Sequence, residues 1–150
     1  MSDLVRVAVD AMGGDYAPVE PVKGAVEAVN ADERVKVQLV GQVDVIEKEL
    51  QKYTYPKERV EIVPATEIIE TGEPPVNAIR HKKDSSIVVG MKKVRCGEAD
   101  AFVSSGSTGA VLVGGQTIVG RIKGVERPPL APLIPTKDGV SPSDRLRCEC

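Results

Sequence analysis

Val5-Arg-Val-Ala-Val9 runs directly into Asp10-Ala-Met-Gly-Gly-Asp-Tyr-Ala-Pro18, and this junction decides the fold. The apolar run reads as a short strand, and a helical pattern begins near Pro18. Between them lies a loop with adjacent glycines, Gly13 and Gly14, and two carboxylates, Asp10 and Asp15. Glycines adopt backbone conformations closed to other residues and let main-chain N–H groups approach a ligand, while a helix start behind them favours negative charge. The same grammar recurs downstream, where Ala101-Phe-Val103 enters Ser104-Ser-Gly-Ser-Thr-Gly109 and an apolar helical segment follows from Ala110. Two polar, glycine-bearing loops at strand ends predict a small-molecule site at the carboxyl edge of an α/β sheet.

Working outward, strands and helices alternate. Val22, Ala25, Val26 and Val29 fall on one face of a helix ending around Asn30. Val35 to Val40, closed by Gly41, is a second strand. Val43, Ile46 and Leu50 mark a second helix, and Val60 to Val63 a third strand. The paired prolines of Thr71-Gly-Glu-Pro-Pro75 make Thr66 to Pro75 a loop. Helices are expected from Asn77 and again from Ser86, the second with Ile87, Met91 and Val94 on one face. Ala101 to Val103 is the fourth strand and Thr108 to Val119 a glycine-interrupted helix. The order predicts an α/β sheet, at least partly parallel.

Composition agrees. A chain of 150 residues, 41% hydrophobic and 28% charged, suits one globular domain with a real core. Aromatics make up only 3%, so the core must be built from Val, Ile, Leu and Ala, as in a sheet covered by helices. A net charge of −2 and scarce aromatics argue against nucleic acid as a partner. The start, Met1-Ser-Asp-Leu, lacks the basic residues of a secretory signal, and no apolar run approaches a membrane span, so a cytoplasmic location is expected. Cys96, Cys148 and Cys150 cannot complete a zinc site and read as inert thiols; no metal or cofactor is expected.

Asp10 and Asp15 could orient a lysine, bind a substrate hydroxyl or carry a metal; Asp15 could equally cap the following helix. The G-x-G-x-x-G dinucleotide spacing is absent, and Tyr16 stands where nucleotide kinases with a double glycine and acid need a further glycine. Arg80-His-Lys-Lys-Asp-Ser-Ser86 is the densest charge cluster, by default a solvated face. Asp84, Ser85 and Ser86 are strong cap residues, however, so Lys82 and Lys83 lie beside a helix start. A cation there is unfavourable unless an anion joins it, which makes either lysine a candidate for neutralising phosphate. His81, the only histidine, reads as incidental, and no Ser-His-Asp order or G-x-S-x-G elbow supports a nucleophilic triad. Ser104, Ser105, Ser107 and Thr108, beside Gly106 and Gly109, suit an anion or a carbonyl oxygen, although turn chemistry alone also favours them.

Taken together, Asp10 to Pro18, Lys82-Lys-Asp-Ser-Ser86, Gly97-Glu-Ala-Asp-Ala101 with Ser104 to Ala110, and Ile122-Lys-Gly-Val-Glu-Arg-Pro128 resemble the bacterial phosphate acyltransferases of phospholipid synthesis, the PlsX family. The resemblance covers roughly Val5 to Val140. It implies a three-layer α/β/α, isopropylmalate-dehydrogenase-like fold, truncated in this chain, and a homodimer. It implies transfer of a fatty acyl group from acyl carrier protein to inorganic phosphate, giving acyl phosphate for glycerolipid synthesis, and peripheral membrane association of the intact member. Lys82, Lys83 and Asp10 would be catalytic. Gly13, Gly14, Asp15, Ser104, Gly106, Ser107, Thr108 and Gly109 would bind phosphate. Ser107 stands where the family usually has Asn, and His81 where a basic residue is common. The rival readings are a phosphotransacetylase-like transfer from a coenzyme A thioester and a non-catalytic fragment.

The resemblance assigns 1–140 to the N-terminal part of an acyltransferase domain and leaves 141–150 as an aberrant tail. The family continues there with an apolar run into Asp-x-Gly-Ala-Asn. Read one base out of register, codons that permit Ser143-Asp-Arg-Leu-Arg-Cys-Glu-Cys150 can encode Leu-Ile-Asp-Cys-Gly-Ala-Asn-Val, so a frameshift near Ser141-Pro142 is the expectation. Sequencing the gene checks it. Such a chain is expected to be poorly active and marginally stable, and to aggregate or bind a hydrophobic dye.

Overall fold

The computed structural model describes residues 4–125, together with 133–136 and 139–142. The chain forms two compact units, Met1–Gly120 and Arg121–Cys150. The first contains, in order, β1 (Val5–Asp10), α1 (Val19–Ala31), β2 (Val35–Gly41), α2 (Val43–Leu50), β3 (Val60–Pro64), α3 (Pro75–His81), α4 (Ser86–Arg95), β4 (Ala101–Val103) and α5 (Thr108–Gly114). A short 3-10 turn, Lys57–Arg59, leads into β3.

All strand pairs are parallel and the sheet order is β3-β2-β1-β4. The chain therefore steps outward from β1 through β2 to β3, then returns to the other side of β1 to lay down β4. Right-handed crossovers going one way place their helices on one face, and the returning crossover places its helix on the opposite face. The core follows this rule. Val37 and Leu39 of β2 pack with Val22, Val26 and Val29 of α1 and Ile46 and Leu50 of α2. The alternate strand residues Ala8, Val40 and Val63 pack on the other face, where Val89, Val94 and Phe102 close over them. A third cluster joins α3, α4 and α5 through Ile79, Ile87, Met91 and Ala110. The fold is thus α/β, with small aliphatic residues filling both faces, as the aromatic-poor composition requires.

Local details follow from residue chemistry. Ser85, fully buried, caps α4 by accepting a hydrogen bond from Val88 N at 3.4 Å. Gly90 sits in mid-helix because a Cβ there would come within 2.5 Å of the Phe102 ring, so α4 can approach β4 only without a side chain. α3 begins at Pro75 rather than Asn77: proline has no N–H to lose in the first helical turn, and its fixed φ suits that position. The expected single helix over Thr108 to Val119 divides. After α5 the backbone widens into a π turn over Gly115–Val119, where Gly120 N donates to Gly115 O at 2.9 Å.

The second unit contains an antiparallel hairpin of β5 (Leu133–Thr136) and β6 (Gly139–Pro142), with Leu133 opposite Pro142. The periodicity did not predict it, since Pro135 interrupts a run of only four residues. Ser141 and Pro142 belong to β6, so paired backbone crosses position 140. Residues 143–150, which carry the frameshift reading, lie outside the described residues. Among the described residues no helix is long and apolar enough to cross a membrane.

Candidate active site

The reversal of winding creates a crevice between β1 and β4 at the carboxyl edge of the sheet, the position where open α/β sheets bind ligands. Val9 pairs with Val103, so the next residues, Asp10 and Ser104, emerge side by side although they are far apart in sequence. Asp10 is only 1% exposed. Ser104 Oγ donates to Asp10 Oδ2 at 2.7 Å, and Met12 N donates to Asp10 Oδ1 at 3.0 Å. The Ser104 hydroxyl is in turn an acceptor for Gly106 N at 3.0 Å, and Ser105 Oγ donates to the Gly13 carbonyl at 3.0 Å. Asp10 thereby ties the two loops together and fixes the turn of each.

This close fit explains the glycines. A Cβ on Gly13 would collide with the Asp10 carboxylate, and one on Gly106 would stand 3.2 Å from Gly13 Cα. Gly14 has φ +100°, a left-handed conformation that favours glycine, and packs over Ser105. Among the described residues, the main-chain N–H groups of Gly13, Gly14, Ser107 and Thr108 donate to no protein acceptor. These donors lie on the two tied loops, where an anion can accept from them. Ser107 is the N-cap of α5, its buried Oγ accepting from Ala110 N at 3.3 Å, so its side chain is committed to the helix start. Thr108 is exposed, and Gly109 lies against Pro75 at the start of α3.

The remaining candidates stand elsewhere. Asp15 is exposed and does not cap α1, whose N-cap position is Pro18 with no side-chain hydrogen bond. Lys82 lies at the far end of α3 from Pro75, about 10 Å along the helix axis. Its Nζ donates to the Ile68 carbonyl at 2.7 Å and pairs with Glu73 Oε1 at 2.5 Å. Its counter-anion thus comes from the protein's own loop. Lys83 is exposed and joins neither glycine loop. Asp84 does not cap α4 either: it accepts from Thr66 N and Thr66 Oγ1, bonds that hold its carboxyl below the usual range. Sequence reasoning left Glu73 unassigned within a loop; its signal was a carboxylate just before a proline pair, too common to single out.

The Lys82–Glu73 pair latches the loop that precedes α3. The hydrogen bond from Lys82, supported by Glu70 N, holds the Glu73 carboxyl below its ordinary 4.5. A depressed carboxyl stabilises the fold above its unfolded value and loses that contribution as pH falls through its folded value. Lys82→Ala should therefore melt earlier than wild type at pH 7, and the gap should narrow as pH falls below 4.5 toward what the Lys82 bond to the Ile68 carbonyl contributes. Thermal melts from neutral to acid pH measure this; a difference that persists unchanged in acid would show that the latch is not ionic.

A family model described as "Fatty acid synthesis protein" matches residues 5–142, which include both loops and the strands that carry them. The chain belongs to the fatty acid synthesis protein family. Relatives within reach include the phosphate acyltransferase of Alkaliphilus oremlandii, 51% identical over 138 residues, covering 91% of this chain and 41% of the relative. The phosphate acyltransferase of Clostridium beijerinckii is 50% identical over 135 residues, covering 90% and 40%. That of Halothermothrix orenii is 44% identical over 135 residues, again 90% and 40%. This member of the family therefore spans about 40% of the length of the curated relatives it matches.

Proposed function

We propose that this chain carries the phosphate-holding part of an enzyme that transfers a fatty acyl group from acyl carrier protein to inorganic phosphate. The observation that carries this reading is the pair of glycine loops tied by Asp10 and Ser104 at the winding reversal, with unpartnered N–H groups on both. Membership of a fatty acid synthesis family and relatives named phosphate acyltransferase support the chemistry. Phosphate bound by these amides would be oriented for direct displacement. One of its oxygens attacks the thioester carbonyl, a C–O bond forms, the C–S bond breaks, and the phosphopantetheine thiolate departs. Positioning and donors aimed at the developing oxyanion supply the rate enhancement, and no covalent enzyme intermediate is needed.

Asp10 acts here through the loops it orders. Ser104, Gly106, Gly109 and Thr108 shape the second loop, and Asp15 and Lys83 remain exposed groups that can meet substrate from solvent. Lys82, engaged with Glu73, would act by holding the 68–73 loop. The same reading includes a homodimer in a cytoplasmic setting, an isopropylmalate-dehydrogenase-like completion of the sheet, and peripheral membrane association of the longer relatives.

The test is acyl-phosphate formation from inorganic phosphate, measured for this chain beside the Alkaliphilus oremlandii relative, with acyl carrier protein and coenzyme A thioesters offered in parallel. Formation of acyl phosphate with preference for the carrier-protein thioester is expected of the relative, and weaker formation of this chain. In a frame-restored version of this chain, Lys83→Ala should raise the apparent Michaelis constant for phosphate without lowering the melting temperature. Preference for coenzyme A would favour the transacetylase reading. Absence of phosphate binding by this chain would remove the loops' assigned role.

A further inference from the structure

The sheet is covered unevenly. Among the described residues no helix lies over β4 on the α1 face, and Val103 is 54% exposed. Between α1 and this uncovered edge runs a cleft of about 450 Å³, whose floor includes Val7, Val37 and Val35 and whose wall is α1 at Gly24 and Ala28. One end is polar, formed by Asp10, Ser104 and Ser105 of the tied loops with Glu20 in the first turn of α1, and the other is aliphatic. Val35 pairs with Val5, and Val40 with Asp10, so the cleft extends along about five residues of strand, about 16 Å. An apolar channel that opens at one end into a polar loop cluster complements an amphiphile with one headgroup and one linear tail. Its volume also lies within the ordinary range for ligand sites.

From this one-ended polarity we infer that the cleft between α1 and β4 holds the hydrocarbon tail of a medium-chain acyl group, with its carbonyl end at Ser104 and Ser105. The inference rests on the acyl-transfer reading for the identity of the headgroup chemistry, and assigns the tail a place which that reading leaves open. Gly24 is the residue that keeps the channel open. A Cβ added there meets no atom within 4 Å, so a larger side chain enters the cleft without pushing on the fold. In a helix interior, replacing glycine also removes its entropic cost.

The experiment titrates the 150-residue chain with dansyl-labelled undecanoic acid, following dansyl emission, with circular dichroism and sedimentation velocity on each sample. Gly24→Leu and Ala28→Leu should each weaken probe binding at least about tenfold, an effect of about 1.4 kcal/mol, with an unchanged helix signal and a melt no lower than that of wild type. Lys23→Leu adds the same side chain to α1 outside the cleft and should bind as wild type does. Equal affinity in all variants overturns the assignment, as does a wild-type chain that fails to bind the probe. A wild-type dimer that Gly24→Leu converts to monomer overturns it too, because the cleft would then be covered by a second copy. Acyl-phosphate assays on the same samples separate the two readings. Probe binding lost in Gly24→Leu without any acyl-phosphate activity in wild type keeps the tail site and removes the reaction, and activity with equal probe binding in all variants does the reverse.

Discussion

Gly13→Val is expected to lower the melting temperature by on the order of 10 °C and to abolish phosphate binding. The added carbon would overlap the Asp10 carboxylate and stand 2.9 Å from Gly106 N. Neither neighbour is a flexible side-chain end: Gly106 N is backbone, and Asp10 is buried and held from two sides. Overpacking of this kind costs about 1–3 kcal/mol, and displacing Asp10 forfeits a charge-assisted bond of about 1.5–3 kcal/mol besides. The β-branched side chain also moves the amides of the loop, so the proposed anion site should disappear even where the sheet survives. Thermal melts and phosphate titration by calorimetry measure the two effects. A variant that melts with wild type and still binds phosphate would show that the loops are less tightly joined than their geometry indicates.

Asp10→Ala is expected to cost about 2–3 kcal/mol in urea denaturation, because the Ser104 hydroxyl and Met12 N–H both lose their acceptor in a buried position. Ser104→Ala should cost less, since it leaves a carboxylate that Met12 still satisfies and deprives only Gly106 N of its acceptor. The double variant should be more stable than the sum of the singles predicts, with a coupling of about 1–2 kcal/mol. Strict additivity would mean that the Asp10–Ser104 bond does not join the loops.

Elements with strong local periodicity were legible in the sequence. Val22, Ala25, Val26 and Val29 announce α1, and the apolar runs at Val5, Val35 and Val60 announce three parallel strands. Even the three-residue β4 was readable, because the serine and glycine loop behind it repeats the pattern of the first junction. Strand order was not, since nothing local says that β4 pairs with β1 rather than with β3. The candidate site divides along the same line. Asp10, Gly13, Gly14, Ser104 and Gly106 stood out by residue type and do meet. The hydrogen bond that organises them joins positions 94 residues apart, beyond any local pattern. The lysine run stood out by charge density, yet Lys82 is satisfied by Glu73 from a loop whose conformation proline and glycine set without disclosing where it turns.

Placing β4 beside β1 also sets a timetable for a chain emerging from the ribosome. β2 follows β1 soon enough for that pair to form early, whereas Ala101–Val103 lies about 60 residues beyond the end of β2. At roughly 5–20 residues per second, the second flank of β1 waits roughly 3–12 s for its partner. Throughout that interval Asp10 has no Ser104 to meet, and the nascent strand offers bare backbone groups to whatever it encounters. The two glycine loops are therefore among the last parts of the sheet to mature, and a ribosome that stalls between the two strands would hold a half-sheet in which those loops cannot be tied.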